Sequence, residues 1–219
     1  MPERPPKPAA TTSLTFDSLL PTPLLLHEDL QEGCGGQLWP AGMVLSKYML
    51  TYQKGSLRGK SIIEIGAGGG LVGLTVALGC EIDVDRKIWL TDQIPMLALM
   101  EKNITLNHLE GRVGAEVYDW GSPPPTSILR EGVHPDVVLA ADCVYFEPAF
   151  PLLLLTLEDL IGPRTTCYFC FKKRRKADMR FIRDMVKKFT VEQIIYEERE
   201  RDQRGGIFLY EVRKKDSNQ

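Results

Sequence analysis

Cysteine, histidine, long apolar runs and surplus positive charge are all scarce in this 219-residue chain, and each scarcity removes a class of protein. The five cysteines, an odd number, are scattered as Cys34, Cys80, Cys143, Cys167 and Cys170. That is too sparse for a disulfide scaffold and suits a reducing cytosol, so a cytoplasmic protein is expected. Cys167 and Cys170 form a C-x-x-C pair, but "TTCYFCF" is a continuous strand pattern. Residues three apart on a strand point to opposite faces, so a shared metal or a redox pair is not expected there. His27, His108 and His134 stand apart from one another and from the cysteines, which leaves no metal site in the sequence. No apolar stretch approaches the roughly 20 residues of a membrane span, and the N-terminus lacks a signal-peptide core. The longest candidate, "FPLLLLTLEDLIG", is interrupted by Glu158 and Asp159 and reads as a buried helix. Lys and Arg number 27 against 29 Asp and Glu, a net charge of -2, so the basic face of a general nucleic-acid coat is missing.

What is present is a chain long enough to bury one full core, with 43% apolar residues. Residues 1–13, "MPERPPKPAATTS", are proline-rich and polar and are expected to be a disordered tail. Residues 14–58 read as an N-terminal extension. It holds a strand around "PLLLHEDL", a turn at "QEGCGG" and a helix over "QLWPAGMVLSKYML" with Pro40 in its first turn. From residue 59 to 215 strand and helix patterns alternate: "SIIEIG", "LVGLTVALG", "KIWLTD", "IPMLALMEKNITLNHL", "VGAEVYDW", "PDVVLAADCVY", "AFPLLLLTLEDLIG", "TTCYFCF" and "ADMRFIRDMVKKF". "VEQIIYEE" and "GIFLYEVR" close the chain as two strands joined by "RERDQRGG". The alternation implies a doubly wound α/β domain with a mostly parallel sheet, ending in an antiparallel strand.

In such sheets ligands bind at the carboxyl ends of the strands, near the point where strand order reverses. The first of these ends is "EIGAGGG", where Gly66, Gly68 and Gly70 are separated by single residues. A dinucleotide fingerprint would need glycine at position 71, which is leucine, and no Gly-Lys-Ser/Thr follows for a phosphate loop. G-x-G-x-G preceded by an acid, Glu64, is instead the pattern of class I S-adenosylmethionine-dependent methyltransferases. The second strand ends in Asp92, a carboxylate placed to accept both hydroxyls of a ribose. The third ends in "DWG", where Trp120 could stack on adenine, and the fourth in "AADCVY". Each piece has a bland alternative (a tight turn, a helix cap, a core tryptophan). Four in succession point to S-adenosylmethionine.

With these motifs the sequence resembles the seven-β-strand protein-lysine methyltransferases of the methyltransferase-like 21 group. The resemblance runs from about Gly33 to Lys215 and rests on "LWPAGMVLSKYM", "EIGAGGGLVGL", "LTD", "DWG" and "AADCVYFEPAFPLLLLTL". The D-x-x-Y motif, Asp142 to Tyr145, is the most specific of them. "FKKRRKAD" and the compact size are similar to the fungal enzyme that methylates a lysine of translation elongation factor 1A. The resemblance implies a class I Rossmann-like fold with a seven-stranded sheet and S-adenosylmethionine as cofactor. It implies cofactor contacts at Trp39, Gly66, Ala67, Gly68, Asp92, Trp120 and Ala141, and a lysine site at Asp142 and Tyr145. It also implies a folded protein substrate, elongation factor 1A, met by a monomer. Many relatives carry Thr or Ser where this chain has Gly69, so one hydroxyl contact is absent. The basic run Lys172–Lys176 reads as a solvated helix start, as a dock for an acidic patch of the substrate or, third in order, as an RNA-binding or nuclear-localisation segment. The sequon at Asn103 falls in a predicted helix and is set aside. Two other readings stay open: the same fold acting on RNA or a small molecule, and a non-catalytic binding module, against which the intact motifs argue.

Overall fold

The computed structural model describes residues 9–30, 36–129 and 132–215. Ala10–Leu14 (β1) and Leu24–Glu28 (β2) form an antiparallel pair with Leu14 opposite Leu24 and Ala10 opposite Glu28. The expected disorder therefore does not hold for residues 10–13, and residues 1–8 lie outside the described residues. "TTS" has too little apolar surface to fold by itself. It is held because Leu24 and Leu26 bury in the core and leave the edge of β2 to be paired. Thr12 adds a hydrogen bond from its Oγ1 to Glu28 Oε1 at 2.9 Å. Most of the "QEGCGG" turn falls outside the described residues.

Pro40–Tyr52 (α1) begins at its proline, where a missing N–H costs nothing, and leaves Trp39 extended as the cap residue. Ile62–Ile65 (β3), Ile88–Asp92 (β4), Val113–Val117 (β5), Val137–Ala141 (β6), Thr166–Lys172 (β7), Phe189–Gln193 (β8) and Ile207–Lys214 (β9) make one sheet in the order β5-β4-β3-β6-β7-β9-β8. Pairs from β5 across to β7 are parallel, and β9 runs antiparallel to both β7 and β8. Leu71–Gly79 (α2), Ile94–Leu106 (α3), Phe150–Leu160 (α4) and Lys176–Lys188 (α5) are the crossovers. Between β8 and β9 the structure inserts a six-residue helix, Arg199–Arg204 (α6), where an uninterrupted connection was expected. The side chain of its Asp202 is buried and accepts from Tyr196 Oη at 3.0 Å, which fastens this turn to the chain entering it.

The strands alternate their side chains between two cores. Ile62, Ile88, Leu90, Leu139 and Cys170 pack with α1, α2 and α3, whereas Ile63, Ile65, Val138, Cys167 and Phe169 pack with α4 and α5. Cys167 and Cys170 thus lie on opposite faces, both buried and free. Strand order reverses at β3, whose neighbours are β4 and β6. Ile65 is in register with both Thr91 and Ala140, so Gly66, Asp92 and Ala141 leave the sheet at one level.

Candidate active site

The turn after β3 is shaped by backbone that side chains would obstruct. Gly66 and Gly68 have φ of 58° and 55°, the left-handed region that glycine enters without strain. A Cβ on Gly66 would lie 2.9 Å from Trp120 and 3.0 Å from the Cys143 sulfur. Two carboxylates hold the turn from below. Asp92 accepts from the Gly68 N–H and the Gln93 N–H, both at 2.7 Å, tying the end of β4 to the glycine turn and to the start of α3. Glu64 accepts from the Gly73 N–H at 2.7 Å, at the N-terminus of α2, where the helix dipole favours an acid. Burial raises the pKa of Asp92 and pushes that of Glu64 up to about 8; the Asp92 carboxylate adds to the rise at Glu64.

The D-x-x-Y segment leaves β6 differently from its sequence pattern. The strand stops at Ala141, and Asp142 has a φ of 55° instead of continuing it. Its side chain is only 3% exposed. Asp142 Oδ1 accepts from the Lys172 N–H at 2.9 Å and from Arg174 Nη1 at 3.1 Å, and Oδ2 accepts from the Ala41 N–H at 3.3 Å. One carboxylate therefore joins β6, the end of β7 and the first turn of α1. Arg174 also lies over the Trp39 ring, 5.0 Å from its centroid, in cation–π geometry. Arg175 donates to the Tyr145 carbonyl and pairs with Asp178 at 3.2 Å. Asp178, itself fully buried, accepts the N–H groups of Arg174 and Arg175 at 2.7 and 2.8 Å.

A cavity of about 720 Å³ opens between these parts, within the usual range for a small-molecule site. Trp39, Gly66, Ala67, Gly68, Asp92, Trp120 and Ala141 line it, and so do Asp142 and Tyr145. Every candidate cofactor and lysine-site residue from the sequence thus faces one space, although they come from five separate stretches of chain. Tyr145 and Phe146 at its mouth are 49% and 56% exposed, which leaves an aromatic rim open to a partner.

A family model described as lysine methyltransferase matches residues 19–188. The chain belongs to the lysine methyltransferase family. It is an S-adenosylmethionine-dependent protein-lysine N-methyltransferase, and its substrate is a protein. It is 36% identical to the protein-lysine N-methyltransferase EFM6 of Saccharomyces cerevisiae, over 87% of this chain and 85% of that one. It is 33% identical to the protein N-lysine methyltransferase METTL21A of Danio rerio, over 85% and 80%. It is 34% identical to the EEF1A lysine methyltransferase 3 of Mus musculus, over 83% and 73%. Among solved structures, the 16S rRNA N2 G1207 methyltransferase RsmC of T. thermophilus superposes with a TM-score of 0.60 at 14% identity. That match covers 96% of this chain and 52% of the other, and it shows the shared fold. The lining of the methyltransferase cavity suits the cofactor: backbone without side chains at Gly66 and Gly68, a carboxylate at a strand end, and two indoles, Trp39 and Trp120. Among the described residues no group of three or more His, Cys, Asp or Glu is arranged to hold a metal ion, and no helix is long and apolar enough to cross a membrane.

Two features of the methyltransferase site were not legible in its sequence. Asn103 on α3 is fully buried and does the work that the set-aside sequon obscured. It accepts from the His27 N–H at 2.8 Å and donates to the His27 and Gly69 carbonyls at 3.1 and 2.9 Å, joining β2 to the glycine turn. A Cβ on Gly69 would come within 3.1 Å of this amide, so the absent hydroxyl at 69 makes room for Asn103. The other feature is Arg174. Within the basic run, Arg174 and Arg175 are wired to the Asp142–Tyr145 segment, although their side chains remain 30% and 46% exposed.

Proposed function

We propose that this enzyme methylates a lysine of elongation factor 1A, in the cytoplasm and as a monomer. The observation that carries the proposal is the convergence of the candidate residues on one cavity with an exposed aromatic rim. It is supported by the named action of the mouse relative on that factor. Trp39, Gly66, Ala67, Gly68, Asp92, Trp120 and Ala141 would hold the cofactor, with Asp92 accepting the ribose hydroxyls on the lone pairs that Gly68 and Gln93 leave. When bound, S-adenosylmethionine supplies an electrophilic methyl group on a positively charged sulfur.

The chain's own task is to deliver a neutral amine to that methyl. A lysine has a pKa near 10.4, so removing its proton at pH 7 costs about 4–5 kcal/mol. Entry into a partly desolvated cavity disfavours the ammonium and lets the proton leave to water. Asp142, already holding three donors, is suited to orienting the amine and not to carrying its proton away. Tyr145 supplies a wall at the mouth, and most of the acceleration would come from positioning. Purified elongation factor 1A incubated with methyl-labelled cofactor should accept label on a lysine, and a short peptide bearing that lysine should accept far less. Label on another protein and none on the factor would discard this substrate.

A further inference from the structure

Arg174 is the one Lys, Arg or His side chain among the described residues that line the cavity, and it is paired to Asp142 there. The other charged or titratable groups facing this space are acids or neutral. Glu64 comes from β3, Asp92 from the end of β4, and Asp119 from beyond β5; Tyr118 and Tyr145 line it as well. The thiols of Cys143 and Cys170 are pushed up by burial, and the Asp142 charge pushes them further. The contacts that Lys172 and Ala41 make with Asp142 are through backbone N–H groups, which carry no net charge.

A carboxylate beside an entering lysine stabilises the ammonium, which cannot react, because its nitrogen has no available electron pair. We propose that Arg174 is a positioning residue that compensates the charge of Asp142, so that the target amine gives up its proton on entering the cavity. In that step an N–H bond of the ammonium breaks, the electron pair stays on nitrogen and the proton passes to water. The cation–π contact of Arg174 with Trp39 fixes the guanidinium where it can do this, beside the first turn of α1, whose Ala41 N–H also donates to Asp142. The inference rests on the lysine-site reading of Asp142 and Tyr145.

The test uses the protein loaded with S-adenosylhomocysteine and n-butylammonium as the lysine mimic. Arg174→Gln should bind n-butylammonium about tenfold more tightly than wild type at pH 7, since an opposite charge at this range shifts an amine by about a unit or more. Neutral n-butanol should bind both alike, and the double variant Arg174→Gln/Asp142→Asn should lose the gain. In turnover of whichever protein the wild type labels, Arg174→Gln should lower kcat and KM together and move the pH midpoint of kcat upward by about one unit. Arg174→Lys, which keeps the charge, should leave that midpoint in place. Thermal melts report folding, and the double variant, neutral at both positions, keeps the comparison available if the single one unfolds. Equal n-butylammonium binding by wild type and a folded Arg174→Gln would overturn the proposal. So would a loss of cofactor affinity with an unmoved pH midpoint, which would assign Arg174 to the cofactor instead. Failure to label elongation factor 1A bears only on the substrate and leaves the mimic experiment standing.

Discussion

Glu64 shows how one side chain can carry a pH dependence through the whole protein. It is buried at the foot of α2, and its pKa stands near 8 against an ordinary 4.5, chiefly because of burial. A carboxyl group raised in this way binds its proton more tightly folded than unfolded. The stability it contributes is fully present below about 4.5 and is lost as pH rises through about 8. Glu64→Gln keeps an acceptor for the Gly73 N–H without the ionisation. Its melting temperature should match wild type near pH 4.5 and exceed it increasingly up to pH 8.5. Parallel curves over that range would mean that Glu64 does not titrate there.

At the level of elements, α3 reads β2 through two amides placed four residues apart. Asn107 accepts from the Leu25 N–H at 2.9 Å and donates to the Leu25 carbonyl at 2.7 Å, and Asn103 does the same for His27. The spacings match: four helical residues rise about 6 Å and two strand residues about 6.6–6.8 Å. The amides thus pair the strand edge opposite β1, and only Asn103 reaches onward to Gly69. Each buried partner left unpaired costs about 1–3 kcal/mol. Asn107→Ala and Asn103→Ala should therefore both destabilise the fold in urea and expose residues 10–28 to protease. Only Asn103→Ala should also weaken cofactor binding in calorimetry beyond what the stability loss explains. Equal cofactor affinities would confine Asn103 to a structural role.

For the molecule as a whole, the near-neutral net charge hides an uneven edge. Lys173 and Lys176 are exposed and flank Arg174 and Arg175, which also reach solvent but are tied by ion pairs to Asp142 and Asp178. Charge reversal of the whole run would dislodge the Asp142–Tyr145 segment and confuse docking with folding. Lys173→Glu with Lys176→Glu isolates the surface effect. Those two changes should raise the KM for the protein substrate several-fold at low salt, with kcat little changed, and the difference should shrink near 0.5 M salt as screening shortens to a few ångströms. A KM that does not change at low salt would remove this edge from substrate recognition.

The alternation of apolar strands and helices determined the sheet, its mostly parallel sense and the level at which Gly66, Asp92 and Ala141 emerge, because period and turn chemistry are local properties. The lysine methyltransferase family was legible for the same reason, since its motifs sit at consecutive strand ends. Local pattern could not show that "ATTSL" is a strand, because its stability comes from β2 and ultimately from α3. Nor could it show that Asp142 leaves the strand at positive φ, a conformation held by donors from Ala41, Lys172 and Arg174. The roles of Asn103 and Arg174 lie 76 and 32 residues from the groups they bind, His27 and Asp142. Asn103, a poor helix former inside α3, was the one trace such a role leaves in sequence. An arginine inside a basic run left none, because only the approach of β6, β7 and α1 turns a surface charge into a partner for a buried carboxylate.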